Sequence, residues 1–250
     1  MNTHIESNAG HHSMNQVIHQ EGLVDMKNAV LIGSSGNLGP IWLEELSKDH
    51  EVSCMDITGG YTVQDETYFS LFDKEVLLGT KPDVIVYNAA IDNPPGDGVD
   101  FFSNVDKVVN VNLLGAVRAV KHFLPRMIRN GGGLFVFVGS IQGFVAADWR
   151  NYEQGFAKPV GYNISKAGLM QLVRSVAVQF GRQNIRAVCI SFAAIETGKF
   201  QEPFSSKFMR CLPLGRFISP VSCRTTLRYA IDCPELTGQT VCVDSGYLSW

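Results

Sequence analysis

No run of basic residues occurs anywhere in the chain. Lys and Arg number 21 against 24 Asp and Glu, a formal net charge of −3 at pH 7. A general nucleic-acid binder needs a cationic surface to neutralise phosphates, so no nucleic-acid partner is expected. No uninterrupted apolar stretch approaches the roughly 20 residues of a membrane-spanning helix, and no membrane partner is expected either. The six cysteines, at 54, 189, 211, 223, 233 and 242, form no C-x-x-C pair and share no zinc-ligand spacing with a histidine. Scattered thiols of this kind suit a reducing compartment, so the expected location is the cytoplasm, with no bound metal. Heptads are lacking, and no basic start followed by an apolar segment marks a secretory signal.

What is present is a globular balance. Of 250 residues, 45% are hydrophobic and 18% charged, enough for one large domain or two small ones around a sizeable core. Residues 1–27 stand apart: they carry His4, His11, His12 and His19, four of the six histidines, among Asn, Ser, Gln and Glu. They read as a mobile leader, with metal binding as the alternative, and residues 28–250 as the folded domain.

From Asn28 onward, short apolar runs alternate with amphipathic stretches. Strands are expected at 28–33, 51–57, 83–90, 132–140, 185–192 and 237–246, and helices at 40–49, 66–77, 103–130 and 162–181, with Pro125 as a kink. Runs such as VLI, VIV and FVFV lack a polar alternation, as strands do when helices cover both faces of a parallel sheet. The fold class is therefore α/β: one Rossmann-like, doubly wound parallel sheet with helices on both faces. DNPPGDG (92–98) follows a strand and reads as a loop.

GSSGNLG (33–39) joins the first strand to the first helix. Glycines there let the backbone turn sharply and approach a pyrophosphate, while free N–H groups at the helix start face the anion. Gly33, Ser35, Gly36, Asn37, Leu38 and Gly39 are the candidate dinucleotide contacts, and Pro40 suits a helix start because its missing N–H is not needed there. Asp56, with Ile57 beside it, ends the second strand 23 positions after Gly33. Its carboxylate can accept from both ribose hydroxyls and would repel a 2′-phosphate, and no cation adjoins it, so NAD is expected over NADP.

Tyr162 and Lys166 lie at i and i+4, on one helical face. A phenol loses its proton near pH 10, and a nearby ammonium favours the phenolate, making the hydroxyl usable as an acid or base. Ser140 closes the strand FVFVGS at the end where a parallel sheet binds ligands. Its hydroxyl could hold a substrate oxygen beside Tyr162, although a serine there also caps strand ends with no chemistry.

YNAA (87–90), NVNLLG (110–115), GSIQG (139–143), YNISKAG (162–168), IETG (195–198), PLGRF (213–217) and TGQTVCVDSGY (237–247) together resemble the short-chain dehydrogenase/reductase family. That resemblance implies a catalytic set of Ser140, Tyr162, Lys166 and Asn112. Tyr162 would be the acid/base, Ser140 would orient the substrate oxygen, Lys166 would hold the nicotinamide ribose, and Asn112 would anchor a proton-relaying water. It also implies that Asn88, Ala89 and Ala90 line the adenosine–ribose side, that Ile195 and Thr197 contact the nicotinamide end, and that the chain forms a homodimer or homotetramer. Asn37 replaces the usual middle glycine of the turn, Phe192-Ala193 replaces the usual Pro-Gly, and Thr62 takes the place of an adenine-contacting aspartate, leaving Val63 as the adenine neighbour.

Ser140 and Tyr162 lie 22 positions apart, farther than is usual in this family, and the added segment is 148–160. Trp149, Tyr152 and Phe156 offer flat faces there; Asp148, Arg150, Asn151 and Glu153 offer hydrogen bonds and charge, and the alternative is a lid or subunit contact with no substrate role. Trp149, Arg150 and Tyr152 are the candidate substrate contacts. Stacking faces beside polar groups suit a sugar, and Arg150 or Lys158 can meet a phosphate or carboxylate. W-R-x-Y-E and K-P-V-x-Y resemble a bacterial subgroup of flagellin-modification or sugar-processing oxidoreductases, which implies a sugar-derived substrate. The expected function is NAD(H)-dependent interconversion of a secondary alcohol and a ketone. The alternatives are a 3-oxoacyl thioester or simple alcohol reductase, a dinucleotide-binding regulator without turnover, and a sugar epimerase or dehydratase.

Overall fold

The structure is a computed structural model that describes residues 27–77, 79–92, 99–152 and 158–250. The expected leader up to residue 26, most of the 92–98 loop, and Glu153 and Phe156 lie outside the described residues. Lys27, assigned to the leader from sequence, opens the first strand instead.

The described elements are β1 (Lys27–Ile32), α1 (Gly39–Leu46), β2 (His50–Met55), α2 (Glu66–Phe72), β3 (Pro82–Tyr87), α3 (Val105–Val109), α4 (Gly115–Arg129), β4 (Gly133–Ser140), α5 (Val160–Phe180), β5 (Ile185–Phe192), α6 (Phe204–Arg210), α7 (Pro220–Asp232) and β6 (Gln239–Val243). The strands form one sheet in the order β2-β1-β3-β4-β5-β6, every pairing parallel. The six strands and the helices around them confirm the expected single α/β domain, with β5 as expected and the other strand ends shifted by at most three residues.

Helices cover both faces. Phe69, Phe72, Phe123, Phe135, Phe137 and Val173 are buried where α2, α4 and α5 meet the sheet. Trp42, Leu46, Val136, Ile190, Phe208 and Leu227 are buried on the other face, beneath α1, α6 and α7. Strands covered on both sides need no polar alternation, which is why these runs are apolar throughout. α7 is docked on α1 by Arg228, which donates to Glu45 (Nε–Oε1, 3.0 Å) and to both carboxylate oxygens of Asp49 (2.7 and 3.0 Å).

Two features place the site. The chain passes from β1 outward to β2 and then returns to add β3 on the opposite side of β1, so the loops after β1 and β3 diverge and open a crevice at their C-terminal ends. The expected helix over 103–130 is interrupted by a wider π-turn at Asn110–Leu114 between α3 and α4. The break therefore lies at Asn112, while Pro125 sits inside α4. The Tyr87 hydroxyl donates to the Val111 carbonyl at 2.6 Å, tying the widened turn to the end of β3. Among the described residues no helix is long and apolar enough to cross a membrane.

Candidate active site

The glycine turn is shaped first by its own packing. Gly33 has φ +88°, and a Cβ there would lie 2.4 Å from the Ala89 nitrogen; a Cβ on Gly39 would lie 1.9 Å from the Ser34 carbonyl oxygen. Both glycines are thus required by close approach of the chain to itself. Gly36 differs: a Cβ would meet nothing closer than Asn88 Nδ2 at 3.4 Å, so its open side faces away from protein. The N–H groups of Asn37 and Leu38, just before α1, have no hydrogen-bond partner among the described residues. Free donors at a helix start, with a bare glycine beside them, fit a pyrophosphate.

Asn88 secures this turn. Its Nδ2 donates to the Gly33 carbonyl at 2.6 Å, and its Oδ1 accepts from the Trp42 indole at 3.0 Å. The Asp56 carboxylate accepts from the Ser35 N–H at 2.8 Å and from the Thr58 N–H and hydroxyl, both at 3.0 Å. Burial pushes this carboxyl up, but the bonds from Thr58 and Ser35 outweigh it and hold the group below its usual range. Asp56 therefore sits ionised against the turn, with exposed Ile57 beside it. Val63 is buried, packed toward Gly115, and its carbonyl accepts from Arg118 at 3.2 Å. Ala89 and Ala90 follow Asn88 beyond β3. Ile195 pairs with Ile218 in the loop after β5, two residues before Thr197. Phe192 and Ala193, the departure noted from sequence, are buried, with the Phe192 ring 6.0 Å from Trp42.

The structure brings Ser140, Tyr162 and Lys166 together. Ser140 ends β4, and its hydroxyl faces the Tyr162 side chain, which rises from the first turn of α5. Lys166 is buried, its Nζ 5.4 Å from the centroid of the Tyr162 ring and donating to the Val138 carbonyl at 2.7 Å. Burial lowers the ammonium to about 8. Burial also pushes the Tyr162 phenol above its ordinary value, with the Asp92 carboxylate adding to the rise and the nearby Ser140 hydroxyl opposing it. The expectation from spacing, that the ammonium brings this phenol down, is thus outweighed among the chain's own groups.

Asn112 is buried in the π-turn and organises the neighbourhood. Its Oδ1 accepts from the Ile91 N–H at 2.8 Å, and its Nδ2 donates to the Ile91 carbonyl at 2.9 Å and the Ser165 hydroxyl at 3.1 Å. Ser165 in turn donates to the Tyr162 carbonyl at 2.7 Å. Asn112 therefore joins the exit of β3, which carries Asp92, to the turn of α5 that carries Tyr162.

Next to Lys158 lies a cavity of about 500 Å³ whose walls include Phe101, Phe144, Trp149, Tyr152, Val160 and Ile164; Ser140 and Tyr162 are not among its lining residues. Trp149 and Tyr152 line it. Arg150 does not: its guanidinium folds back onto Asp148, with Nε–Oδ1 and Nη2–Oδ2 both at 2.9 Å, and it is not among the lining residues. Lys158 lines the cavity, pairs with Asp92, and places its ammonium 5.1 Å from the Tyr162 ring centroid. Sequence reasoning missed Asp92, Gln142 and Asn163 here, and Lys199, whose ammonium donates to the Asn37 side chain from the loop after β5. The partners of Asp92 and Lys199 lie 66 and 162 positions away, so no local pattern signals them.

A fold with its crevice at the β1/β3 switch point and a Ser–Tyr–Lys cluster at the strand ends defines a dinucleotide-dependent oxidoreductase class. A family model described as enoyl-(acyl carrier protein) reductase matches residues 44–248. The chain belongs to the short-chain dehydrogenase/reductase family. Dehydrogenase/reductase SDR family member 4 of Mus musculus is 30% identical over 175 residues, an alignment that covers 66% of this chain and 58% of the mouse protein. The chain thus spans less than two thirds of that relative's length. A short-chain dehydrogenase from Leptospira borgpetersenii, solved with bound NAD+, superposes with a TM-score of 0.77 at 23% identity, over 96% of this chain and 99% of that one. A gluconate 5-dehydrogenase from Burkholderia cenocepacia, in complex with NADP and tartrate, gives 0.75 at 17% identity, over 90% and 96%. The family uses a nicotinamide dinucleotide, and its solved members hold either form.

Proposed function

We propose that the protein interconverts a secondary alcohol and a ketone with NAD(H), on a sugar or sugar-derived substrate. The observation that carries this reading is the placing of Ser140 beside Tyr162 with the Lys166 ammonium 5.4 Å from the phenol ring centroid, at the strand ends beside the glycine turn. Bound in the crevice, the dinucleotide supplies or accepts the hydride. Ser140 holds the substrate oxygen, and the Tyr162 hydroxyl gives it a proton in reduction or takes one in oxidation. Lys166 binds the nicotinamide ribose, and its charge then favours the phenolate. Asn112 holds this turn in place and anchors the water through which Lys166 exchanges protons. Asp56, kept ionised by Ser35 and Thr58, accepts from the adenosine ribose and disfavours a 2′-phosphate, which supports NAD over NADP. Gly36, Asn37 and Leu38 take the pyrophosphate; Val63, Asn88, Ala89 and Ala90 line the adenosine side, and Ile195 and Thr197 the nicotinamide end.

The mixed aromatic and polar lining of the cavity, with Trp149 and Tyr152, supports a polyhydroxylated ligand. Six free cysteines suit the cytoplasm. Exposed Val117 on α4 and Val178 on α5 support a homodimer or homotetramer. The test is purified protein with NAD or NADP and a panel of sugars, sugar derivatives and simple alcohols, followed by nicotinamide absorbance. NAD reduction by a polyhydroxylated substrate is expected. Reduction only of NADP, or only by simple alcohols, would overturn those parts of the reading.

A further inference from the structure

The cavity next to Lys158 carries a cation placed to read charge, an inference that rests on the oxidoreductase reading above. Its walls are mostly apolar, and the cation among its lining residues is Lys158. Its side chain is 12% exposed against 40% for Asp92, so the cation is the fixed and more enclosed half of the pair, and the carboxylate is the half that borders solvent. An ammonium has three donors. Asp92 takes one and the Tyr162 ring face meets the ammonium at 5.1 Å, which leaves a donor for the cavity. A charge held this far from solvent is poorly screened, so an anion reaching it binds strongly. The other cation of the segment, Arg150, is taken by Asp148.

We propose that Lys158 is the specificity-determining residue of the substrate cavity: the substrate carries an anionic group, carboxylate or phosphate, that docks on the Lys158 ammonium. The anion then lies a few bonds from the carbon whose oxygen meets Tyr162. Asp92 turns from sole partner of the lysine into an acceptor at the rim.

The experiment uses the NADH-loaded full chain and isothermal titration with two matched pairs, gluconate against sorbitol and glucose 6-phosphate against glucose. At least one anionic probe is expected to bind about 10-fold or more tightly than its neutral counterpart, the size of one charge-assisted hydrogen bond. Lys158→Gln erases that preference and Lys158→Arg keeps most of it, with the Kd for NADH unchanged in both. The arm that shows the preference tells carboxylate from phosphate. Equal binding within both pairs, a preference that survives in Lys158→Gln, or no binding by any of the four would overturn the proposal. Failure of the oxidoreductase reading shows separately, as a wild-type chain that binds neither NADH nor NADPH.

Discussion

Lys166→Met should stabilise the protein at neutral pH while removing its activity. Burial lowers the ammonium from its ordinary 10.5 to about 8. That difference corresponds to roughly 3 kcal/mol of unfavourable charge burial wherever both folded and unfolded chains hold the proton. The sign follows from which state binds protons more weakly. Below pH 8 the penalty is complete; from 8 toward 10.5 the folded chain has released its proton and the unfolded chain has not, so the penalty shrinks; above 10.5 it is gone. Methionine fills similar space without charge but abandons the 2.7 Å bond to the Val138 carbonyl, at a cost of about 1–2 kcal/mol. The net gain at pH 7 is about 1–2 kcal/mol, a rise in Tm of about 2–8 °C for a chain of this size. Near pH 10 the lost hydrogen bond dominates and the order of stabilities reverses. Thermal unfolding of both proteins without dinucleotide, followed by circular dichroism at pH 7 and pH 10, reads this directly. A variant less stable than wild type at pH 7, or a difference that does not change with pH, would refute the reasoning. A destabilising lysine kept at this position is what a group held for ligand binding looks like.

Other outcomes follow from particular contacts. Asn112→Ala removes three hydrogen bonds and leaves the Ile91 N–H and carbonyl without them, so urea unfolding should show a loss of roughly 2–4 kcal/mol; a loss below about 1 kcal/mol would mean that the side chain does not organise this turn. Gly36→Ala meets only ordinary contact, so stability should stay within about 0.5 kcal/mol while the Kd for NADH rises about 10-fold or more. Equal loss of both would show that this glycine serves the fold, as Gly33 and Gly39 do.

The sheet could be read from sequence because its strands are covered on both faces, and unbroken runs such as FVFV have no other soluble use. Tyr162 and Lys166 were legible because a helix places i and i+4 side by side regardless of what surrounds them. α6 and α7 were not assigned from sequence. α7 interleaves Arg224, Thr225, Thr226 and Arg228 with its apolar residues, and ion pairs to Glu45 and Asp49, about 180 positions away, help to hold it. The π-turn at 110–114 escaped for a similar reason: proline marked 125 as the place to bend, whereas the widened turn is fixed by Tyr87 and Ile91 from β3 and its exit. The Lys158–Asp92 pair and the Lys199–Asn37 bond join loops that only the sheet topology brings together. Local chemistry therefore marked the reacting groups, and the fold supplied the groups that surround them.

The most direct measurement is turnover by Tyr162→Phe, once a substrate has been found on the panel. The phenylalanine keeps the ring and removes only the hydroxyl that meets Ser140. A rate about 10²–10⁴-fold below wild type, with the Kd for NADH unchanged, is the predicted result. Turnover at the wild-type rate would contradict the assignment of this hydroxyl as the proton donor and acceptor.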